Sequence, residues 1–279
     1  MVTFVLCWNG HCREQQINRK PPMDSLNPEN PPLVVAPERL PRVWGFWQTA
    51  LWALFIFAAV FLGQMAVIVF LVLWRGGPFE MATAIHVVSG GLTISLSVLL
   101  GFPAVLLALW IAIRPTKISF ADYLALRWAS WRNFLLGAVA LAVLVGGWDL
   151  LSRGLGREIA PGFMSEVLKS ARADGALWLL VLAFCVAAPM WEEFFARGFL
   201  YRGWSESPLR VPGAIALSSL AWTALHLQYD WFFFTEIFSI GVLFGYLRYR
   251  TNSTWLTVVL HGLNNLAATI QTIMLAGQG

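Results

Sequence analysis

The segment Trp191-Glu192-Glu193-Phe194-Phe195-Ala196-Arg197-Gly198 sets two carboxylates and a guanidinium inside a long apolar run. Each such charge near a bilayer centre costs roughly 2.5–3.5 kcal/mol, so three unpaired ones would cost about 7–10 kcal/mol and must instead face one another. On a helix, Glu193 and Arg197 are four residues apart and share a face, whereas Glu192 is rotated by about 100°. That spacing makes Glu193 and Arg197 an ion pair and leaves Glu192 to exchange a proton as a general base.

Three further residues have types suited to the same chemistry. His226 follows Trp222 by four residues, so an indole can hold an imidazole on one helix face; His261 and Asn265 share that spacing and direct an imidazole and a carboxamide into one volume. Donors of this kind stabilise a developing oxyanion by about 2.7–4 kcal/mol each in a dry site. Measured from the cytoplasmic ends of the expected spans at 1.5 Å per residue, Glu192 lies roughly 15 Å deep, His226 roughly 20 Å and His261 roughly 12 Å. One layer can therefore contain an activated water, a base and an oxyanion site. Glu236 is an intramembrane carboxylate and a functional candidate, either lining the cavity or pairing with a helix end. Asp149 reads as interfacial, Asn264 as a less favoured stand-in for Asn265, and His86 stays unassigned.

The elements that position these residues follow from composition. Apolar residues make up 58% of the chain and charged ones 12%, far from the balance of a water-soluble domain. Charge-free runs long enough to cross about 30 Å of hydrocarbon recur from Trp44 onwards. The expected fold is an all-α polytopic transmembrane helical bundle of about seven (six to eight) spans, near 45–74, 81–113, 132–151, 175–203, 211–229, 231–248 and 253–275. Breaks are expected at Gly90-Gly91 and Gly101-Phe102-Pro103, and a short interfacial segment over 114–131. Lys and Arg concentrate in segments that are cytoplasmic if the N-terminus is inside, which predicts N-in.

Residues 1–43 form a polar, Pro-rich cytoplasmic tail and 44–279 the transmembrane domain. No cleaved signal is expected, and Met23 is an alternative start. Cys7, His11 and Cys12 lack the second pair that a zinc or disulfide framework needs. The net charge of +4 is assigned to topology, and the many Trp and Phe to interfacial belts and packing. The expected partners are therefore the lipid bilayer and a membrane protein or lipidated peptide, with no nucleic acid.

Glu-Glu-x-x-x-Arg at 192–197, a His on the next helix at 226 and His-x-x-x-Asn at 261–265 together resemble the type II CAAX prenyl endopeptidases and their prokaryotic relatives, the CPBP intramembrane proteases. The resemblance covers about 176–271. It implies that Glu192 with His226 activates water, that Glu193 and Arg197 support them, and that His261 with Asn265 stabilises the oxyanion. It also implies a prenylated C-terminus or a membrane-associated, bacteriocin-linked peptide as substrate. The short loops favour a prokaryotic inner membrane. One departure is Trp222, where the family usually has Phe; exchange of the two aromatics is expected to be tolerated. Glu192, His226 and His261 could also form a three-ligand zinc site with one open position, and the same residues could work without a metal. Two other readings are a proton-coupled transporter, disfavoured because charge is concentrated in the last four spans, and a non-catalytic scaffold or immunity protein, disfavoured by the intact motifs.

Overall fold

The computed structural model describes residues 7–8, 11–12, 43–75, 87–159 and 162–276. The chain divides into two units, Met1–Leu40 and Pro41–Gly279. In the first, Cys7–Trp8 pairs antiparallel with His11–Cys12, Cys7 opposite Cys12. The rest of the Pro-rich tail lies outside the described residues, as does His86.

The described part of the second unit is helical throughout: α1 Phe46–Arg75, α2 Gly91–Ile113, α3 Phe120–Tyr123, α4 Trp131–Gly154, α5 Gly162–Ala173, α6 Leu177–Ser205, α7 Arg210–Thr223, α8 Trp231–Thr251 and α9 Thr254–Ala276. Among the described residues, six of these (α1, α2, α4, α6, α8 and α9) are long and apolar enough to cross a membrane, so the polytopic helical bundle stands. The expected span over 211–229 is the short one. α7 has 14 residues, about 21 Å at 1.5 Å per residue, and gives way to a 3₁₀ turn at Ala224–His226. The helix stops because Asp230 starts the next one: its Oδ1 accepts from the N–H groups of Phe232 and Phe233, at 2.8 and 3.1 Å. His226 therefore sits on a turn between two helices.

Close backbone approach at glycines holds α1, α2 and α5 together. Gly63 and Gly101 let α1 and α2 cross closely, since a Cβ on Gly63 would come 3.3 Å from Ala104 Cβ. The expected break at Gly90-Gly91 is the start of α2, with Gly90 extended at its N-cap. Pro103, by contrast, is accommodated inside α2. Gly91 N–H donates to Ser170 Oγ at 3.1 Å, so α5 satisfies one of the free donors at the α2 N-terminus. Val167, Leu168 and Ala171 form the buried face of α5.

The segment at 114–131 does more than lie at the interface. Tyr123, Leu124 and Ala125 are buried, and Tyr123 stacks on Phe199 of α6 at 5.6 Å. Thr254 anchors the segment to α9, its Oγ1 donating to the Leu124 carbonyl and its N–H to the Ala125 carbonyl. Gly198 leaves room for it, because a Cβ there would fall 2.8 Å from Leu124 Cδ2. The short α3 turn is thus a plug against the end of α6 that carries the charged motif.

Gly91 gives a direct test of this packing. A Cβ there would sit 2.5 Å from the Val167 carbonyl oxygen and 2.6 Å from Ala171 Cβ, so α5 must move. Gly91→Ala is expected to destabilise by about 1–3 kcal/mol, read as a lower melting temperature in detergent. Gly146→Ala, with nothing within 4 Å of the added carbon, is expected not to lower it.

Candidate active site

Helix α6 carries the charged motif and departs from α geometry twice, in π segments at Ala183–Ala187 and Phe194–Leu200. The α-helical turn between them, Ala188–Glu193, holds both glutamates. A π segment widens the helix and re-aims the side chains around it. The first is stabilised from α9, where Asn265 Nδ2 donates to the Phe184 carbonyl at 2.8 Å. Next to it Gly262 lets α9 press on the bulge, for a Cβ there would lie 2.5 Å from the Cys185 carbonyl oxygen. This contact brings His261, the preceding residue, to the glutamates.

Glu193 and Arg197 have no exposed side-chain surface, and Arg197 Nη1 donates to Glu193 Oε1 at 2.9 Å. The second terminal nitrogen is engaged as well. Nη2 donates to the Gly241 carbonyl on α8 at 3.0 Å, and the group lies 4.5 Å from the Trp222 ring centroid and 5.5 Å from that of Phe244. Gly241 is required for this approach, because a Cβ would stand 3.2 Å from Nη2 and 3.1 Å from the Trp222 ring. One buried ion pair thus ties α6, α7 and α8 together.

His261 Nδ1 meets the same Glu193 Oε1 at 3.0 Å. With the carboxylate as acceptor, Nδ1 carries a hydrogen, and Nε2 is turned to Glu192, whose Oε2 is 3.9 Å away. Glu192 Oε2 in turn accepts from Trp222 Nε1 at 2.6 Å. His226, half-buried, has its Nδ1 3.2 Å from the Trp222 carbonyl, which leaves its Nε2 uncommitted. The Trp222 ring is edge-on to both imidazoles, at 5.2 Å from His226 and 5.3 Å from His261.

The structure therefore gathers Glu192, Glu193, Arg197, His226 and His261 around Trp222. Asn265 stands one helical turn beyond His261 with one amide hydrogen on Phe184, and the second remains by the chemistry of the group. Glu236 is half-buried on α8 near Asp149 of α4, and Asp149 accepts from Gln271 Nε2 at 2.8 Å; neither carboxylate contacts the Glu192 group among the described residues. Sequence spacing identified every charged and imidazole member of the cluster. The part of the Trp222 N–H was missed, and the Trp at a position where Phe is usual was its only visible signal.

A metal would need three ligands on one point. Among the described residues no group of three or more His, Cys, Asp and Glu is arranged to hold one. Of the three candidates, Glu192 has an oxygen on an indole N–H and His226 is turned by its own helix carbonyl. As placed, these three side chains are not arranged as a zinc site.

The resemblance read from the motifs is borne out over the part of the chain that carries them. Residues 174–267 match the family described as Type II CAAX prenyl endopeptidase Rce1-like. The UPF0177 protein YbdI of Lactococcus lactis subsp. lactis (strain IL1403) is 31% identical over 99 residues, which is 35% of this chain and 51% of that protein. The chain thus spans about half the length of the curated relative it matches. No solved structure matches. These findings give the chain a likeness to that family over residues 174–267, within a bundle whose described helices include six long and apolar enough to cross a membrane.

Removing one member of the buried pair strands the other. Arg197→Ala is expected to destabilise by about 3–5 kcal/mol and to lower the abundance of folded protein, assayed by size-exclusion chromatography in mild detergent. The double variant Glu193→Gln/Arg197→Met, which leaves no unpaired charge, is expected to recover a large part of that abundance.

Proposed function

We propose that this protein is an intramembrane endopeptidase that hydrolyses a peptide bond of a membrane-associated protein or lipidated peptide, with Glu192 as the base that activates water. The observation that carries the reading is the pair of contacts on Glu192: one carboxylate oxygen is held by an indole N–H and stands 3.9 Å from an imidazole, which a second carboxylate orients through its other nitrogen. The remaining oxygen is left for a water.

Charge balance supports the assignment. The buried group contains two carboxylates against one guanidinium, and an uncompensated buried charge is costly. One proton shared between Glu192 and His261 neutralises it. In the reaction, Glu192, assisted by the free Nε2 of His226, takes a proton from water as the water oxygen attacks the scissile carbonyl carbon. His261, joined by the second amide hydrogen of Asn265, donates to the oxyanion. Collapse breaks the C–N bond, and Glu192 returns its proton to the leaving amine. Glu193 and Arg197 hold His261 and the helix geometry. A dry enclosure of protein among apolar helices keeps these interactions strong.

By similarity, the substrate classes are prenylated C-termini and other membrane-associated peptides, including bacteriocin-linked ones, and the location is the plasma membrane of a prokaryote with the N-terminus inside. The similarity to a bacterial protein supports the location.

Glu192→Ala and His226→Ala are expected to abolish cleavage while leaving membrane insertion and abundance intact. Quantitative membrane proteomics of wild type against Glu192→Ala at equal expression should reveal peptide termini that depend on Glu192. Unchanged termini accompanied by an altered proton or solute flux would move the assignment to a transporter. Cleavage in isolated membranes is also expected to survive a strong chelator; loss on chelation and recovery with zinc would replace glutamate-type water activation by metal chemistry.

A further inference from the structure

We infer that Trp222 is a positioning residue for the base, acting through its indole N–H and not through ring bulk alone. The inference rests on the reading of Glu192 as that base and concerns the residue where this chain departs from the pattern it otherwise resembles. Trp222 is 3% exposed and touches four members of the site. Its Nε1 donates to Glu192 Oε2 at 2.6 Å, its ring faces the Arg197 guanidinium at 4.5 Å, and it stands edge-on between His226 and His261. Its carbonyl receives His226 Nδ1.

Each contact has a distinct consequence. A carboxylate on a two-carbon stem rotates about its last bond, and its two oxygens are equivalent until one is bound. The indole distinguishes them: Oε2 is held toward Trp222 and His261, and Oε1 is left as the oxygen that meets water. The ring also lies against both imidazoles, steeply inclined to each. A phenyl ring at 222 could keep the stacking on Arg197, but it has no hydrogen to donate, so the tolerance of Phe expected from the sequence gives way to an expected loss of activity. Glu192 would then be free to turn Oε2 toward its neighbours or toward water without preference. The glycine at 241 belongs to the same device, since a Cβ there would stand 3.1 Å from the Trp222 ring and push the indole from its place.

The test separates the N–H from the ring. Three proteins reconstituted in liposomes are compared on a fluorogenic farnesylated peptide ending in a CAAX sequence: wild type, Trp222→Phe, and a protein carrying 3-benzothienyl-alanine at 222, where sulfur replaces the N–H in an otherwise indole-shaped ring. Because the bond lost is one to a charged group, both altered proteins are expected to lose about tenfold or more in kcat, with KM within about twofold of wild type. Wild-type kcat in the benzothienyl protein, with a loss only in Trp222→Phe, would overturn the proposal in favour of ring packing. A second arm needs no substrate. In protein labelled with ¹⁵N-tryptophan, the indole resonance assigned to Trp222 by its disappearance in Trp222→Phe is expected to move in Glu192→Gln. A resonance unmoved by that change overturns the hydrogen bond itself. Absence of any cleavage by wild type counts against the protease reading instead, and the resonance then decides the role of Trp222.

Discussion

A guanidinium and a carboxylate without exposed surface persist in a helix bundle only if their mutual attraction and the surrounding hydrogen bonds offset the loss of solvation. The Glu193–Arg197 pair meets that condition by recruiting three helices. Glu193 lies on α6 and receives both Arg197 and His261, the latter from α9. Arg197 reaches the α8 backbone at Gly241 and lies under the ring of Trp222 from α7. The relative placement of α6, α7, α8 and α9 is therefore governed by one buried electrostatic knot, and the polar groups proposed to perform chemistry are held by it. Glu192 is next to this knot in sequence but outside the ion pair, as its proposed role as base requires.

The knot closes only because the backbones come close enough. Gly262 against the Cys185 carbonyl and Gly241 against the Arg197 guanidinium are points where a single methyl group would separate helices. The π segments of α6 serve the same end. A widened turn leaves a carbonyl in search of a donor, and the Phe184 carbonyl finds it in Asn265. Local irregularity in the helix that carries the charges is thus compensated by the helix that carries His261, and the two are conformationally coupled.

The plug formed by Tyr123, Leu124 and Ala125 belongs to the same economy of packing. It buries itself beside Gly198 and is tied by Ser253 and Thr254 to the start of α9. One end of the site is therefore bounded by a polar-anchored loop and not by lipid. At the other end the turn that carries His226 is followed by Tyr229, stacked on the imidazole at 6.2 Å, and by the Asp230 cap of α8. The helix that bears Trp222 is too short to cross the bilayer by itself, so the site lies where a partial helix ends inside the bundle, a place where irregular backbone is sheltered by protein.

Much of this protein is determined by residue type and spacing alone. Apolar runs above the bilayer threshold establish the spanning helices, and the i, i+4 relation of Glu193 with Arg197 establishes their ion pair, because helix periodicity and the cost of unpaired charge act within one segment. The order of Glu-Glu, His and His-x-x-x-Asn carries the likeness to CAAX-type proteases. Contacts between helices were decided by the tertiary structure. It ended α7 early, turned His261 onto Glu193, set Asn265 on the Phe184 carbonyl and directed the Trp222 N–H to Glu192. Those depend on how far two backbones approach and on where a helix widens into a π turn, and both are properties of packed surfaces that no single segment's periodicity encodes.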